Sequence, residues 1–265
     1  PTSIVVNTSN NEILVGDNSW IFTFGRTADG NAAYTRELKP SGWGAAPDYG
    51  ATPDTMIAGL IRLAIDLSND EIIAASPNNS VIVAHARSGS QNPAPLRAIS
   101  ARSTGLIGPT GIAVDLANNE IYVASGTSHF AGQGAMFPQV FVFPRTADGG
   151  ILPKRKFWST SPIVQWPGGD IVFEPDAGEV FVADEWGDRV IVFNGKADGG
   201  VIPSRVIVGA ATGLYRPNGL AIDPATNELF VSNYGSTLNV FNKNGNGNQV
   251  PTRAVDAGLF ARGLF

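Results

Sequence analysis

Apolar residues in this chain fall in short runs, and the runs recur. One unit holds an apolar strand ending in an acidic or amide residue, a tight turn closed by Glu, and a second apolar strand. It reads Ile4-Val5-Val6-Asn7 with Glu12, Leu63-Ala64-Ile65-Asp66 with Glu71, Ile112-Ala113-Val114-Asp115 with Glu120, Ile171-Val172-Phe173-Glu174 with Glu179, and Leu220-Ala221-Ile222-Asp223 with Glu228. The turn glutamates lie 59, 49, 59 and 49 residues apart. Short apolar runs bounded by turn residues predict strands, and a recurrence at this interval predicts a repeat architecture.

Each repeat continues with a third strand, clearest in Val140-Phe141-Val142-Phe143, Val190-Ile191-Val192-Phe193 and Leu238-Asn239-Val240-Phe241. A turn follows, written Arg-Thr-Ala-Asp-Gly at 26–30 and 145–149, and Lys196-Ala197-Asp198-Gly199-Gly200 in the fourth copy. Asp-Gly suits such a hairpin because Gly accepts positive φ and Asp bonds its own backbone. The fourth strand carries a Pro-x-Arg signature at 95–97, 153–155, 203–205 and 251–253, and Pro fits an edge strand, where a missing N–H breaks no ladder.

Four short antiparallel strands per repeat predict propeller blades, whereas a sandwich needs no regular period. The expected fold is therefore all-β, a β-propeller of five four-stranded blades in one domain over residues 1–265, with blades at 1–58, 59–108, 109–166, 167–216 and 217–265. Joining Phe265 to Pro1 returns a 49-residue interval, as whole blades require. Closure is then expected without strand exchange, by side-chain packing and by the tail at 259–265. The start at Pro1 reads as a processed mature protein or an excised domain.

The segments Arg216-Pro217-Asn218-Gly219-Leu220-Ala221-Ile222-Asp223 and Phe230-Val231-Ser232-Asn233, together with the run from Val180 through Asp184-Glu185-Trp186-Gly187-Asp188 to Val190, resemble NHL-repeat, YncE-like and lactonase-like bacterial propellers. The resemblance covers nearly the whole chain. It implies the fold; for function it implies only a choice, because these propellers include enzymes, lectin-like binders and scaffolds. The blades are longer than the NHL norm, and five is fewer than its usual six.

Composition then narrows the partners. With 265 residues, 43% of them hydrophobic, the chain can bury a sizeable core. Only 15% are charged, against roughly 25% in an average globular protein. A net charge of −5 and no basic cluster argue against nucleic acid, whose phosphates need clustered positive surface. Cysteine is absent, so disulfides and thiolate metal sites are unavailable. No apolar run approaches the roughly 18 residues of a membrane span, and none reads as a signal peptide. Sparse Lys with abundant Asn, Thr, Ala and Gly resembles secreted bacterial β-proteins, so an extracellular or periplasmic location is expected.

In a propeller the connections between strands 2 and 3 and between successive blades open on one face. Both long insertions fall there: residues 41–54, with Trp43 and Tyr49, and residues 125–139, with His129, Phe130, Met136 and Phe137. Trp186 belongs to the same face. Aromatic and Met side chains on loops fit a protein-contact surface, and equally a lid over the blade ends. At the channel mouth the repeat is broken: Arg62 and Asp170 stand where other blades have Gly111 and Gly219, near Asn218. They are expected to form a structural ion pair or to orient a small anion. The residues Asn7, Asp66, Asp115, Glu174 and Asp223 are expected to cap their hairpins rather than bind metal.

Oxygen-rich loops allow a calcium site, with Asp170, Asp184, Asn218 and Asn233 as its best ligands and no other cofactor expected. His85 and His129 are the only histidines, too few for a three-His zinc centre. His85 follows a predicted third strand and reads as a packed or edge residue. Trp20, Trp43, Trp158, Trp166 and Trp186 occupy different repeat positions, against one sugar pocket per blade. The leading expectation is a non-enzymatic interaction or scaffold module that docks another protein or a larger membrane or extracellular assembly. A calcium-dependent lactonase-like hydrolase is the alternative, and a carbohydrate-binding propeller the second.

Overall fold

The computed structural model describes residues 2–17, 20–38, 61–77, 80–91, 93–100, 104–126, 139–161, 169–235 and 237–256. Five antiparallel sheets form a ring, a β-propeller with five blades. Blade 1 holds β1 (Ser3–Asn7), β2 (Glu12–Asp17), β3 (Trp20–Gly25) and β4 (Arg36–Leu38). Blade 2 holds β5 (Arg62–Asp66), β6 (Glu71–Ser76), β7 (Val81–Ala86) and β8 (Arg97–Ser100). Blade 3 holds β9 (Pro109–Asp115), β10 (Glu120–Ser125), β11 (Gln139–Pro144) and β12 (Arg155–Ser159). Blade 4 holds β13 (Ile171–Glu174), β14 (Glu179–Asp184), β15 (Arg189–Asn194) and β17 (Arg205–Val208), and lends the short β16 (Gly199–Val201) to blade 3, parallel to β12. Blade 5 holds β18 (Pro217–Asp223), β19 (Glu228–Asn233), β20 (Thr237–Asn242) and β21 (Arg253–Asp256).

The recurring turn explains the recurring residues. The residue before each turn glutamate is left-handed: Asn11, Asp70, Asn119, Gly178 and Asn227, with φ between 55° and 65°. Asn, Asp and Gly adopt that conformation most readily. The Asx or Glu side chain at the end of the inner strand accepts backbone N–H groups of the turn, as Asp66 does from Ser68 (3.0 Å) and Glu174 from Ala177 (2.7 Å). The expected capping role holds in all five blades. The Pro of Pro-x-Arg lies one step outside the expected strand. The fourth-strand ladder begins at the residue after it, where Leu96, Lys154, Ser204 and Thr252 donate to the third strand.

Apolar cores lie between the blades. Leu14, Leu63 and Ile72 pack between blades 1 and 2, and Ile73, Ile112 and Phe143 between blades 2 and 3. Phe157, Ile171 and Val182 fill the next interface, and Phe181, Leu220 and Phe241 the one after. His85 is fully buried inside β7 rather than beyond it, and burial lowers its pKa to about 4.

Charge is sparse and is placed by the repeat. In every blade the turn glutamate pairs with the arginine that opens the fourth strand: Glu12 with Arg36 (2.9 Å), Glu71 with Arg97, Glu120 with Arg155 (2.6 Å), Glu179 with Arg205 (2.5 Å) and Glu228 with Arg253 (2.7 Å). Arg97, Arg155 and Arg205 also donate to a carbonyl of the next blade, at Arg145, Gly195 and Lys243. A cation after the third strand answers in the other direction, Arg87 to Glu12, Arg145 to Asp66 and Lys243 to Glu174. Blade 4 has Gly195 instead. The Tyr122 hydroxyl fills that space and donates to the Gly195 carbonyl at 3.2 Å, and a Cβ on residue 195 would sit 2.9 Å from the hydroxyl.

Burial opposes ionisation of Glu120, but hydrogen bonds and charge from Arg155 and Lys154 outweigh it and bring its pKa down to about 2. Arg155→Ala is expected to cost about 3 kcal/mol, because it leaves a buried carboxylate with only the half-exposed Lys154 for a partner. Arg253→Ala, at an exposed pair, costs under about 1 kcal/mol. Urea unfolding of the two variants measures the difference. Acid unfolding follows from the same shifts. Between pH 6.5 and about 4 the unfolded chain binds a proton that folded His85 refuses, so stability falls as pH drops through that window. Glu120 contributes stability above pH 4.5 that is lost as pH falls toward 2. Melting temperatures measured from pH 7 to pH 2 should show His85→Leu flattening the upper step and sparing the lower.

Candidate functional site

The channel mouth is built from the starts of the inner strands. In blades 3 and 5 the pairing slips by one residue, so Thr110 and Asn218 are bulged out of the ladder. A bulge re-aims the backbone, and both freed carbonyls accept from Arg62. Arg62 Nε donates to Thr110 and Nη2 to Asn218, each at 3.1 Å, while Nη1 donates to the Thr2 carbonyl at 2.5 Å. One guanidinium on blade 2 therefore ties blades 1, 3 and 5 across the axis. Its planar fork of fixed donors is what allows three separate acceptors.

Asp170 stands beside this hub. Its carboxylate accepts the backbone N–H of Ile171 (2.9 Å) and, at 3.4 Å, that of Leu220 in blade 5. Dense protein around it raises its pKa; the nearby Arg62 charge and the two N–H groups pull the other way without prevailing. The hydrogen bonds of Arg62 go to carbonyls and none to Asp170, so the expected ion pair is replaced by a carbonyl clamp with a charge neighbour. Asn218, also buried, accepts from the Ser232 hydroxyl at 3.3 Å. The Gly111 slot is small for a reason visible here. A Cβ there would lie 2.7 Å from the Ile171 nitrogen of blade 4.

The other two candidate oxygen ligands are engaged by protein groups. Asp184 accepts from the Gly187 N–H (2.9 Å) and pairs with Arg189 (3.2 Å); Asn233 accepts from the Tyr215 N–H (3.1 Å) and donates to Thr237 (3.0 Å). Asp184 thereby fixes the loop after β14, and Asn233 both the loop after β19 and the segment leading into β18. Among the described residues no three Asp, Glu or His side chains lie together as a metal-binding group.

Trp186 belongs to a cluster that the sequence did not assemble. Arg216, at the crossing from blade 4 to blade 5, lies between two rings, its guanidinium carbon 4.5 Å from the Trp186 centroid and 4.6 Å from that of Tyr234. Glu185 pairs with it at 2.6 Å, and Asp188 accepts its backbone N–H at 2.7 Å. Arg216 is left-handed, φ 46°, an unfavourable conformation for its side chain that the surrounding bonds enforce. Trp186 and Tyr215 remain 52% and 57% exposed. All these residues lie on the face where the inner strands begin. Trp43, Tyr49, His129, Phe130, Met136 and Phe137, expected on the same face, lie outside the described residues.

Arg62→Met removes three inter-blade bonds and leaves Asp170 without its neighbouring positive charge. It is expected to cost about 3–5 kcal/mol, and adding Asp170→Asn to it should recover part of the loss. Chemical unfolding of the single and double variants measures both.

No known protein family's model matches the chain, and no curated protein matches it; its secure kinship is that of architecture, a five-bladed β-propeller.

Proposed function

We propose that this propeller is a non-enzymatic interaction module, working outside the cell or in the periplasm, whose variable face docks another protein of a larger assembly. The observation that carries the reading is the Trp186–Arg216–Tyr234 stack, with Tyr215 beside it. Trp, Tyr and Arg are the residues that dominate binding energy at protein interfaces, and a pre-ordered side chain loses little entropy on binding. Arg216 is immobilised by two rings and a carboxylate, while Trp186 still offers half its surface to solvent. The low charge and acidic balance of the chain support a protein rather than a nucleic-acid partner. We place it as a divergent relative of the NHL-repeat and YncE-like propellers, on the strength of its inner-strand motif around Pro217-Asn218-Gly219.

A photoreactive phenylalanine analogue at position 215, which leaves the Trp186–Arg216–Tyr234 stack intact, introduced in the native host, tests the reading. A discrete protein adduct at 215, absent when the probe stands at Leu67 near the opposite face and lost on Arg216→Ala, is expected. No adduct at 215, together with calcium retained in native mass spectra, would instead support a metal-dependent enzyme.

A further inference from the structure

Four of the five blade junctions carry a parallel bridge between a fourth strand and the next blade, at two of them within a fuller lock, and among the described residues the fifth carries none. In the junction of blades 2 and 3, Arg145 reaches back to Asp66, the Arg97 guanidinium takes the Arg145 carbonyl, and the Asp148 carboxylate accepts the Ala98 N–H at 2.9 Å. The Gly149 N–H then donates to the Ala98 carbonyl at 2.7 Å, forming a parallel bridge with Ile99. Blades 4 and 5 repeat this through Lys243 to Glu174, Asn246 to the Val206 N–H and Gly247 to the Val206 carbonyl. Blades 1 and 2 bridge at Leu38 and Gln91, and blades 3 and 4 through β12 and β16.

At the junction of blades 5 and 1 both halves of the lock are present and apart. Blade 1 carries the donor half: Arg26, Asp29 and Gly30 occupy the places of Arg145, Asp148 and Gly149. Blade 5 carries the acceptor half: Asp223, Arg253, Ala254 and Val255 occupy those of Asp66, Arg97, Ala98 and Ile99. Arg26 already holds Asn11 through Nε at 2.8 Å, as Arg145 holds Asn119 at 2.9 Å, so its guanidinium is set in the locking posture. Yet Arg26, Asp29 and Gly30 are all exposed. Ala28 is exposed where its counterpart Ala147 is 3% exposed, and Val255 is 51% exposed where Ile99 is 3%. Among the described residues, the hydrogen bonds that hold blades 1 and 5 together run through Arg62 alone.

The geometry points to a ring with one latch: blades 5 and 1 close on each other by Arg26 with Asp223, Asp29 with the Ala254 N–H, Gly30 with the Ala254 carbonyl, and Arg253 with the Arg26 carbonyl, and the structure shows the latch released. Arg62 holds the inner ends of the two blades to one guanidinium, so the halves meet at a high effective concentration within one molecule. Among the described residues no strand pairs with the outer side of β21 at Ala254 and Val255, the kind of edge that natural sheets cover.

The chain has no cysteine, so an introduced pair contains the only thiols. In Asp29→Cys/Ala254→Cys, mild oxidation is expected to form an intrachain disulfide in the monomer, at a rate comparable with Asp148→Cys/Ala98→Cys, the same pair in the locked junction. Adding Arg26→Glu to the first pair should slow its oxidation, and adding it to the control pair should not. Thiols that stay reduced while the control oxidises would overturn the latch. Disulfide-linked dimers would overturn it too, by showing that the acceptor edge takes a second copy instead.

Discussion

The ring is held at its axis by one buried cation. Every inner strand runs its first residues toward the same point, and packed strand ends there would leave bulged carbonyls without donors. Arg62 supplies them, through a guanidinium whose planar fork of donors reaches three carbonyls at once. A buried charge with only neutral acceptors is expensive. Asp170 sits close enough to offset that cost through its field, while its own carboxyl is held by Ile171 and Leu220. The two charged residues that break the repeat are thus one device, and the glycine at 111 makes the space in which blades 3 and 4 can approach it.

Around the rim the same economy appears in repeated form. A chain with 15% charged residues spends most of its glutamates and arginines on junctions, where each pair touches two blades. Exposed ion pairs contribute little, so their value here comes from being half-buried and from the backbone carbonyls they also satisfy. The graded exposure along the series follows the ring. Glu120 and Glu71 are shielded by blades on both sides, whereas Glu228 faces the released junction and shares its arginine with solvent.

The blades, their number and their turns were legible in the sequence because they depend on local chemistry: alternation, Asx caps and left-handed Asn, Asp or Gly. The turn glutamate and the Pro-x-Arg arginine were both visible as signatures, but their pairing spans 24–35 residues and becomes evident only when strands 2 and 4 flank the third. Arg62 was legible as an exception and misread in its partner. The missing signal was the Pro-x-Gly at Pro109-Thr110-Gly111 and Pro217-Asn218-Gly219, which marks the two bulges whose carbonyls it takes. Arg216 was not legible as a site residue at all, since its two rings arrive from loops of different blades.

A repeat constrains where recognition can reside. Residues present in all five blades are consumed by caps and junctions, and a surface built from them would look alike in five directions. Specificity must therefore come from positions that differ between blades. Of those described, Arg62 is buried in the axial clamp, and Asp170, half-buried, has its carboxylate engaged by Ile171 and Leu220. Trp186, Tyr215 and Arg216 are equally unrepeated, are fixed in place by Glu185, Asp188 and Tyr234, and still face solvent. Rigidity without burial is costly to maintain for stability alone, since exposing Trp forfeits the roughly 25 cal/mol per Å² that burial of its apolar surface would return. That forfeited energy is what a docking partner would recover.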